Sequence, residues 1–276
     1  VPRPFRQVDV FTATPYLGNP VAVVHDADGL TTEQMQRIAR WTNLSETTFV
    51  LRPAASIADY RVRIFTPDRE LPFAGHPTLG TAHAWLEAGG RPATDGEVAQ
   101  ECGVGLVRVR RDGDRLSFVA PPLRRSGPLD AELRARVVEV LGLDPGAVVD
   151  AAWVDNGPGW IGVLLADAEA VLAVSPRPSD LCVGVVGPHP PGADHALEVR
   201  AFFPVGDTTV EDPVTGSLNA SLAQWLLGTE RLDAPYVARQ GTARGRSGEV
   251  HVDRDADGTI WVGGRTVTCV RGTIEA

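Results

Sequence analysis

Val62-Arg63-Ile64-Phe65-Thr66-Pro67 recurs as Val199-Arg200-Ala201-Phe202-Phe203-Pro204, 137 residues further along a chain of 276. Alternation of apolar and polar residues in the first copy is the period of a half-buried strand, and both copies stop at a proline. A second match follows each copy: Gly75-His76-Pro77-Thr78-Leu79-Gly80-Thr81 returns as Glu211-Asp212-Pro213-Val214-Thr215-Gly216-Ser217 at an offset of 136. Asn19-Pro20 has a fainter echo in Asn156-Gly157. Colinear matches at close to half the chain length make the sequence two copies of one unit. The proline-rich run from Ala120 to Pro128 lies where the copies join. The expected division is therefore a first half over 1–120, a linker over 121–129 and a second half over 130–265, with a last strand at 266–276 free to pack with the first half.

Working outward, short strands dominate: 7–11, 21–24 and 60–65 are bounded by turn residues. Helices are fewer. Thr31 to Trp41 opens with Thr31 and Gln34 at capping-box spacing and lines up Met35, Ile38, Ala39 and Thr42 on one face. Pro77 to Glu87, Asp130 to Leu141 and Thr215 to Leu227 complete the set, the last with Leu218, Leu222, Trp225 and Leu226 at helical spacing. No GxGxxG follows a strand, so a dinucleotide-binding domain is not expected, and the class is α+β. Duplicated units bring equivalent surfaces together, and a cleft between them is a favoured ligand site. The repeated motif is expected to end in a helix start, at Gly80-Thr81 and at Gly216-Ser217. Free N–H groups at such an end bind anions such as a carboxylate.

Composition narrows the chemistry. All 26 basic residues are arginine against 35 acidic ones, giving a net charge of −9. A chain without lysine has no Schiff-base amine and no phosphate-loop lysine. An acidic surface suits nucleic acid poorly, because affinity there comes from neutralising phosphates. Cys102, Cys182 and Cys269 are odd in number and widely spaced, so neither a disulfide framework nor a metal site is implied. Buried structural thiols and a reducing, cytoplasmic setting are expected. The first residues lack a signal-peptide pattern and no run is long enough for a membrane span. His25, His83, His189, His195 and His251 show no metal-ligand spacing, His83 reads as a packing residue, and Trp41, Trp85 and Trp225 read as core.

Function should show where the duplicated loops diverge. His76 in the first copy stands where Asp212 stands in the second, and both groups are easily tuned for proton exchange. Equally, both could be cap residues serving the following turn. Glu46, in Asn43-Leu44-Ser45-Glu46-Thr47-Thr48-Phe49, lies between a helix end and an apolar strand. There it could be a desolvated acid-base carboxyl or a strand-edge glutamate facing water.

Phe5-Arg6-Gln7-Val8-Asp9-Val10-Phe11-Thr12, Gly18-Asn19-Pro20-Val21-Ala22-Val23, the Ser45-Glu46-Thr47 segment, Pro72-Phe73-Ala74-Gly75-His76-Pro77-Thr78-Leu79-Gly80 and Glu211-Asp212-Pro213-Val214-Thr215-Gly216-Ser217 together resemble the PhzF family of phenazine-biosynthesis isomerases. Gln240-Gly241 and Arg244-Gly245-Arg246 continue the resemblance. It implies the diaminopimelate-epimerase-like fold, two similar domains each with a sheet around a central helix, an active site in the interdomain cleft, and a homodimer. It implies cofactor-free, metal-free isomerisation of a small cyclic or amino-acid-like carboxylate, phenazine-type biosynthesis being one setting. Glu46 would be the acid-base carboxyl, supported by His76 and Asp212, with Ser45, Gly75, Gly216 and Ser217 holding the substrate. Leu218-Asn219 depart from the family pattern and are expected to reshape a pocket wall, and Cys102 also departs from it. An epimerase or racemase of a small amino or hydroxy acid is the rival, as is a catalytically silent binding protein. The two-cysteine form of racemisation fails on spacing: the cysteines lie 80, 87 and 167 residues apart, none near the repeat offset.

Overall fold

A computed structural model describes residues 1–276, which divide into two compact units, 1–119 with 263–276, and 120–262. The first holds β1 (Pro2–Val10), β2 (Asn19–Val24), α1 (Thr32–Thr42), β3 (Glu46–Leu51), β4 (Tyr60–Phe65), β5 (Glu70–Leu71), α2 (Gly75–Glu87), β6 (Glu97–Cys102), β7 (Gly105–Asp112) and β8 (Arg115–Val119). The second holds β9 (Arg125–Pro128), α3 (Ala131–Leu141), β10 (Val148–Asp155), β11 (Trp160–Leu165), α4 (Ala168–Ala173), β12 (Cys182–Pro188), β13 (Leu197–Val205), β14 (Thr208–Asp212), α5 (Gly216–Gly228), β15 (Tyr236–Gln240) and β16 (Gly248–Arg254). From β17 (Ile260–Glu275), the residues from Gly263 onward belong to the first unit, where they pair antiparallel with β1. Within the stretch expected to be a linker, 125–128 instead form β9, which pairs with β10.

Both units follow one topology. A helix crosses over between parallel strands, α1 between β2 and β3 and α4 between β11 and β12. An antiparallel strand and a hairpin follow, β4–β5 or β13–β14. A long helix then returns the chain to a strand parallel to the first of that hairpin, β6 beside β4 and β15 beside β13. The repeated hexapeptide marks that hairpin, and its arginine explains the repeat. Arg63 forks onto Glu70 through bonds of 2.7 and 2.6 Å, and Arg200 onto Glu211 through 3.0 and 2.8 Å. Each pair pins two antiparallel strands with the bidentate geometry that favours arginine over an amine.

The long helices are the cores. Every residue of α2 from Gly75 to Ala82 is buried, and α5 is nearly as enclosed. A helix apolar or small all round must be surrounded by structure, here by β1, β2, β3, β6, β7 and β8 for α2. Close approach needs small residues: a Cβ at Gly80 would stand 2.3 Å from the Val21 side chain. Outer helices behave as their caps predict. Thr31 and Gln34 complete both bonds of a capping box on α1, Asn43 closes it in the left-handed region at φ 53, and Asp130 and Asp167 cap α3 and α4.

Several expectations change. Helix α4, only six residues long, is too short for a periodic signal and is announced only by its Asp167 cap. Trp41 is 78% exposed rather than core, because α1 turns only Met35 and Ala39 fully inward. Trp225 is buried, as expected. Leu218 is core rather than pocket wall, seated over Gly184 where a Cβ would meet its side chain at 2.2 Å. All three cysteines are free and half-buried in strands β6, β12 and β17. Burial pushes each thiol up, Cys182 to about 11, so none is poised as a thiolate. His83 bonds to the hydroxyls of Thr266 and Thr268 on β17, a packing role. No helix is long and apolar enough to cross a membrane.

Candidate active site

Glu46 is the first residue of β3, directly after Ser45, and pairs in register with Val21 of β2. His76 is the second residue of α2. Thirty positions apart in sequence, the two side chains meet: His76 Nε2 lies 3.2 Å from Glu46 Oε2, with side-chain exposures of 7% and 15%. Burial pushes the His76 imidazole down to about 3, against the opposing pull of a hydrogen bond to the Pro20 backbone. The imidazole is therefore neutral at neutral pH. Nε2 makes no hydrogen bond, so the bond to Pro20 falls to Nδ1, which donates. A neutral ring with its proton on Nδ1 presents a lone pair at Nε2. His76 thus offers Glu46 an acceptor, suited to a carboxyl that carries its proton for part of a cycle. Gly75 has a packing reason beside any binding one: a Cβ there would stand 2.6 Å from the Phe118 ring.

The second unit arranges its loop differently. Asp212 ends β14, and its Oδ2 accepts from the Thr215 hydroxyl at 2.6 Å. Gln240, fully buried at the end of β15, ties the turn together. Its Nε2 donates to the Asp212 carbonyl at 3.2 Å and to Thr215 Oγ1 at 3.0 Å. Its Oε1 accepts from the Thr215 N–H at 3.0 Å and the Asn219 amide at 2.8 Å. Asn219, expected at a pocket wall, is a buried brace of this turn. Gly216 and Ser217 are the first two residues of α5, and no side chain caps that helix start. Its first N–H groups therefore have no side-chain partner.

Gly80 departs from its expected place. It sits inside α2, packed on Val21, and the helix begins five residues earlier at Gly75. The matched motifs therefore run at different positions relative to their helices. His76 corresponds by structure to Ser217, each being second in its helix, whereas Asp212 corresponds to the end of β5. The cause is the hairpin: β13 and β14 have nine and five residues where β4 and β5 have six and two, which shifts the second helix start. The sequence reading gave no site role to Thr215, Gln240, Asn156 or Trp160. Asn156 carried a signal in its echo of Asn19, and Gln240 in the resemblance; Gln240 is also the mate of the buried Gln100, which accepts from the Tyr60 hydroxyl at 2.9 Å and donates to Thr78 at 3.0 Å.

A duplicated α+β architecture thus brings a carboxyl and a neutral imidazole into contact, a pairing that could exchange a proton. Residues 8–272 match the family model described as phenazine biosynthesis-like protein. The chain is 36% identical to antisense-enhancing sequence 1 of Schizosaccharomyces pombe, over 97% of each chain. It is 34% identical to the trans-2,3-dihydro-3-hydroxyanthranilate isomerase of Pseudomonas fluorescens, again over 97% of each. A PhzF-family crystal structure from Enterococcus faecalis superposes with a TM-score of 0.81 at 26% identity, covering 100% of both chains. The chain belongs to the PhzF family and is an enzyme of the isomerase class, with that family's diaminopimelate-epimerase-like fold.

Proposed function

We propose that this enzyme shifts a double bond in a small cyclic or amino-acid-like carboxylate by moving one proton between two carbons. Glu46, as carboxylate, takes the proton from an activated C–H. The C–H electron pair moves into the adjoining π system, and the proton returns from the Glu46 carboxyl to the far carbon of that system. Nothing is oxidised or reduced. His76, neutral, accepts a hydrogen bond from the Glu46 carboxyl while it holds the proton. Asp212 grips a donor group of the substrate, and Ser45, Gly75, Gly216 and Ser217 hold its remaining polar groups, the carboxylate falling to the start of α5.

The observation that carries this reading is the Glu46–His76 contact at 3.2 Å with the imidazole neutralised by burial. A merely structural glutamate would more commonly be found against a cation. The P. fluorescens relative is named for a dihydro-hydroxyanthranilate, so that compound is the first substrate to try. Glu46→Gln keeps the shape and removes the base. It is expected to lower kcat by about a hundredfold or more, with loss of deuterium uptake from D2O at the product carbon. Undiminished turnover by that variant sinks the mechanism. Loss of optical rotation with unchanged connectivity would instead identify an epimerase. Three free cysteines suit a reducing cytoplasm, and the resemblance favours a homodimer, checked by light scattering.

A further inference from the structure

Trp160 begins β11 and is buried at 3% exposure. Its indole Nε1 lies 3.0 Å from Ser217 Oγ. An indole N–H can only donate, so Ser217 Oγ is the acceptor and spends a lone pair on Trp160. A serine hydroxyl has one hydrogen, and that of Ser217 meets no acceptor within the protein, since the Trp160 bond is the only one its side chain makes. The backbone of the same residue is also gripped: the Ser217 carbonyl accepts from Asn156 Nδ2 at 2.9 Å and from the Ser221 hydroxyl at 3.0 Å. Asn156 and Trp160 flank a single turn between β10 and β11, so one hairpin holds both the main chain and the side chain of Ser217. Thr81, matched to Ser217 by sequence, shows what an unassisted hydroxyl does. Its Oγ1 donates within its own helix, to the Pro77 carbonyl at 2.6 Å, with Thr48 Oγ1 2.8 Å away.

We infer that Trp160 is a positioning residue that fixes Ser217 as a hydrogen-bond donor and so makes the start of α5 selective for an acceptor, a carboxylate. The indole occupies the oxygen on one side, and the hydroxyl hydrogen is left to point elsewhere. Together with the free N–H groups of the first helical turn, it forms a donor-rich cradle that suits a carboxylate better than a donor-bearing group. This rests on the reading that Ser217 touches the substrate's carboxylate.

The probes are 3-hydroxyanthranilate, a stable aromatic carboxylate, and 2-aminophenol, the same molecule without the carboxylate. Calorimetry on wild-type protein, Trp160→Phe, Ser217→Ala and the double variant reads both. Trp160→Phe is expected to weaken 3-hydroxyanthranilate by about fivefold, the size of one net hydrogen bond, and to leave 2-aminophenol unchanged. In the Ser217→Ala background the same change should do nothing further to carboxylate binding. If Ser217→Ala weakens the carboxylate but Trp160→Phe does not, the inference is overturned and the binding role of Ser217 stands. If Ser217→Ala itself binds both probes as wild type does, the binding role is what fails. Equal weakening of both probes by Trp160→Phe marks a structural effect and also overturns the inference. Should the phenylalanine variant not fold, a benzothiophene analogue of tryptophan at position 160 keeps the bicyclic shape and removes only the N–H. The same outcomes then apply.

Discussion

The starts of α2 and α5 are products of one duplicated plan, and they have been finished in opposite ways. In both, a residue of the Asn19-Pro20 or Asn156-Gly157 echo grips the second residue of the helix: the Pro20 backbone holds the His76 ring, and Asn156 holds the Ser217 carbonyl. Both also carry a fully buried glutamine on the strand after the helix, Gln100 and Gln240. From there they diverge. The first start sets an imidazole, stripped of charge by burial, against Glu46 without a well-formed hydrogen bond between them. The second ties its side chains down: Asp212, Thr215, Asn219 and Gln240 are joined in one network. Proton transfer needs a group that can change state, and substrate holding needs groups that cannot. The proposed mechanism draws one of each from the duplication.

That contrast can be broken at either end. The largest effect should come from Glu46→Gln, about a hundredfold or more in kcat, whereas Asp212→Asn, which keeps its turn, should act mainly on KM. Comparable kcat losses from both would erase the division of labour. Next, Gln240→Leu removes both donors and the acceptor from a buried turn, leaving the Asp212 carbonyl, the Thr215 N–H and the Asn219 amide short of partners. A loss of about 2–4 kcal/mol in urea unfolding is expected, because each orphaned buried group costs about 1–3 kcal/mol and the turn can partly relax. Gln100→Leu, which takes a partner from the Tyr60 and Thr78 hydroxyls, should cost less.

The third expectation concerns acid. His76 falls from an ordinary value of 6.5 to about 3 in the folded protein through burial. Below about 6.5 the unfolded chain binds a proton that the folded one refuses, so stability is lost as pH falls from about 6.5 towards 3. His76→Gln should therefore flatten the decline of Tm between pH 6.5 and 4 relative to wild type, even if it lowers Tm at pH 7. A parallel decline in both proteins would mean that the imidazole is not the group responsible. The smallest effect should be that of Thr215→Val, which removes the 2.6 Å bond to Asp212. About 1 kcal/mol of stability and a few-fold rise in KM are expected, with Thr215→Ser restoring both.

Legibility followed distance along the chain. The capping box of Thr31 and Gln34 is closed by neighbours, so spacing alone revealed α1 to within a residue. The hexapeptide repeat pointed correctly to duplication, because its arginine serves a hairpin partner only a few residues away in each copy. The second repeat misled. Pro77-x-x-Gly80-Thr81 and Pro213-x-x-Gly216-Ser217 look alike, yet the first lies inside α2 and the second straddles the start of α5. A longer hairpin had moved the helix, and motif spacing does not count hairpin residues. Trp41 misled for another reason: it lies off the face of Met35, Ile38, Ala39 and Thr42, and residue type was read ahead of position.

The sequence by itself determined the two-copy plan, the α+β class, the absence of amine chemistry and the identities of Glu46, His76 and Asp212 as candidates. Tertiary structure alone decided that Glu46 and His76 touch, that the imidazole is neutral, and that Gln240 and Trp160 bond to residues far from them in sequence. The physical reason is that hydrogen bonds between near neighbours are fixed by local backbone geometry, which residue types encode directly. Contacts between a strand and a helix depend on how closely the two approach, and that is set by packing such as Gly80 on Val21, not by any pattern within either element.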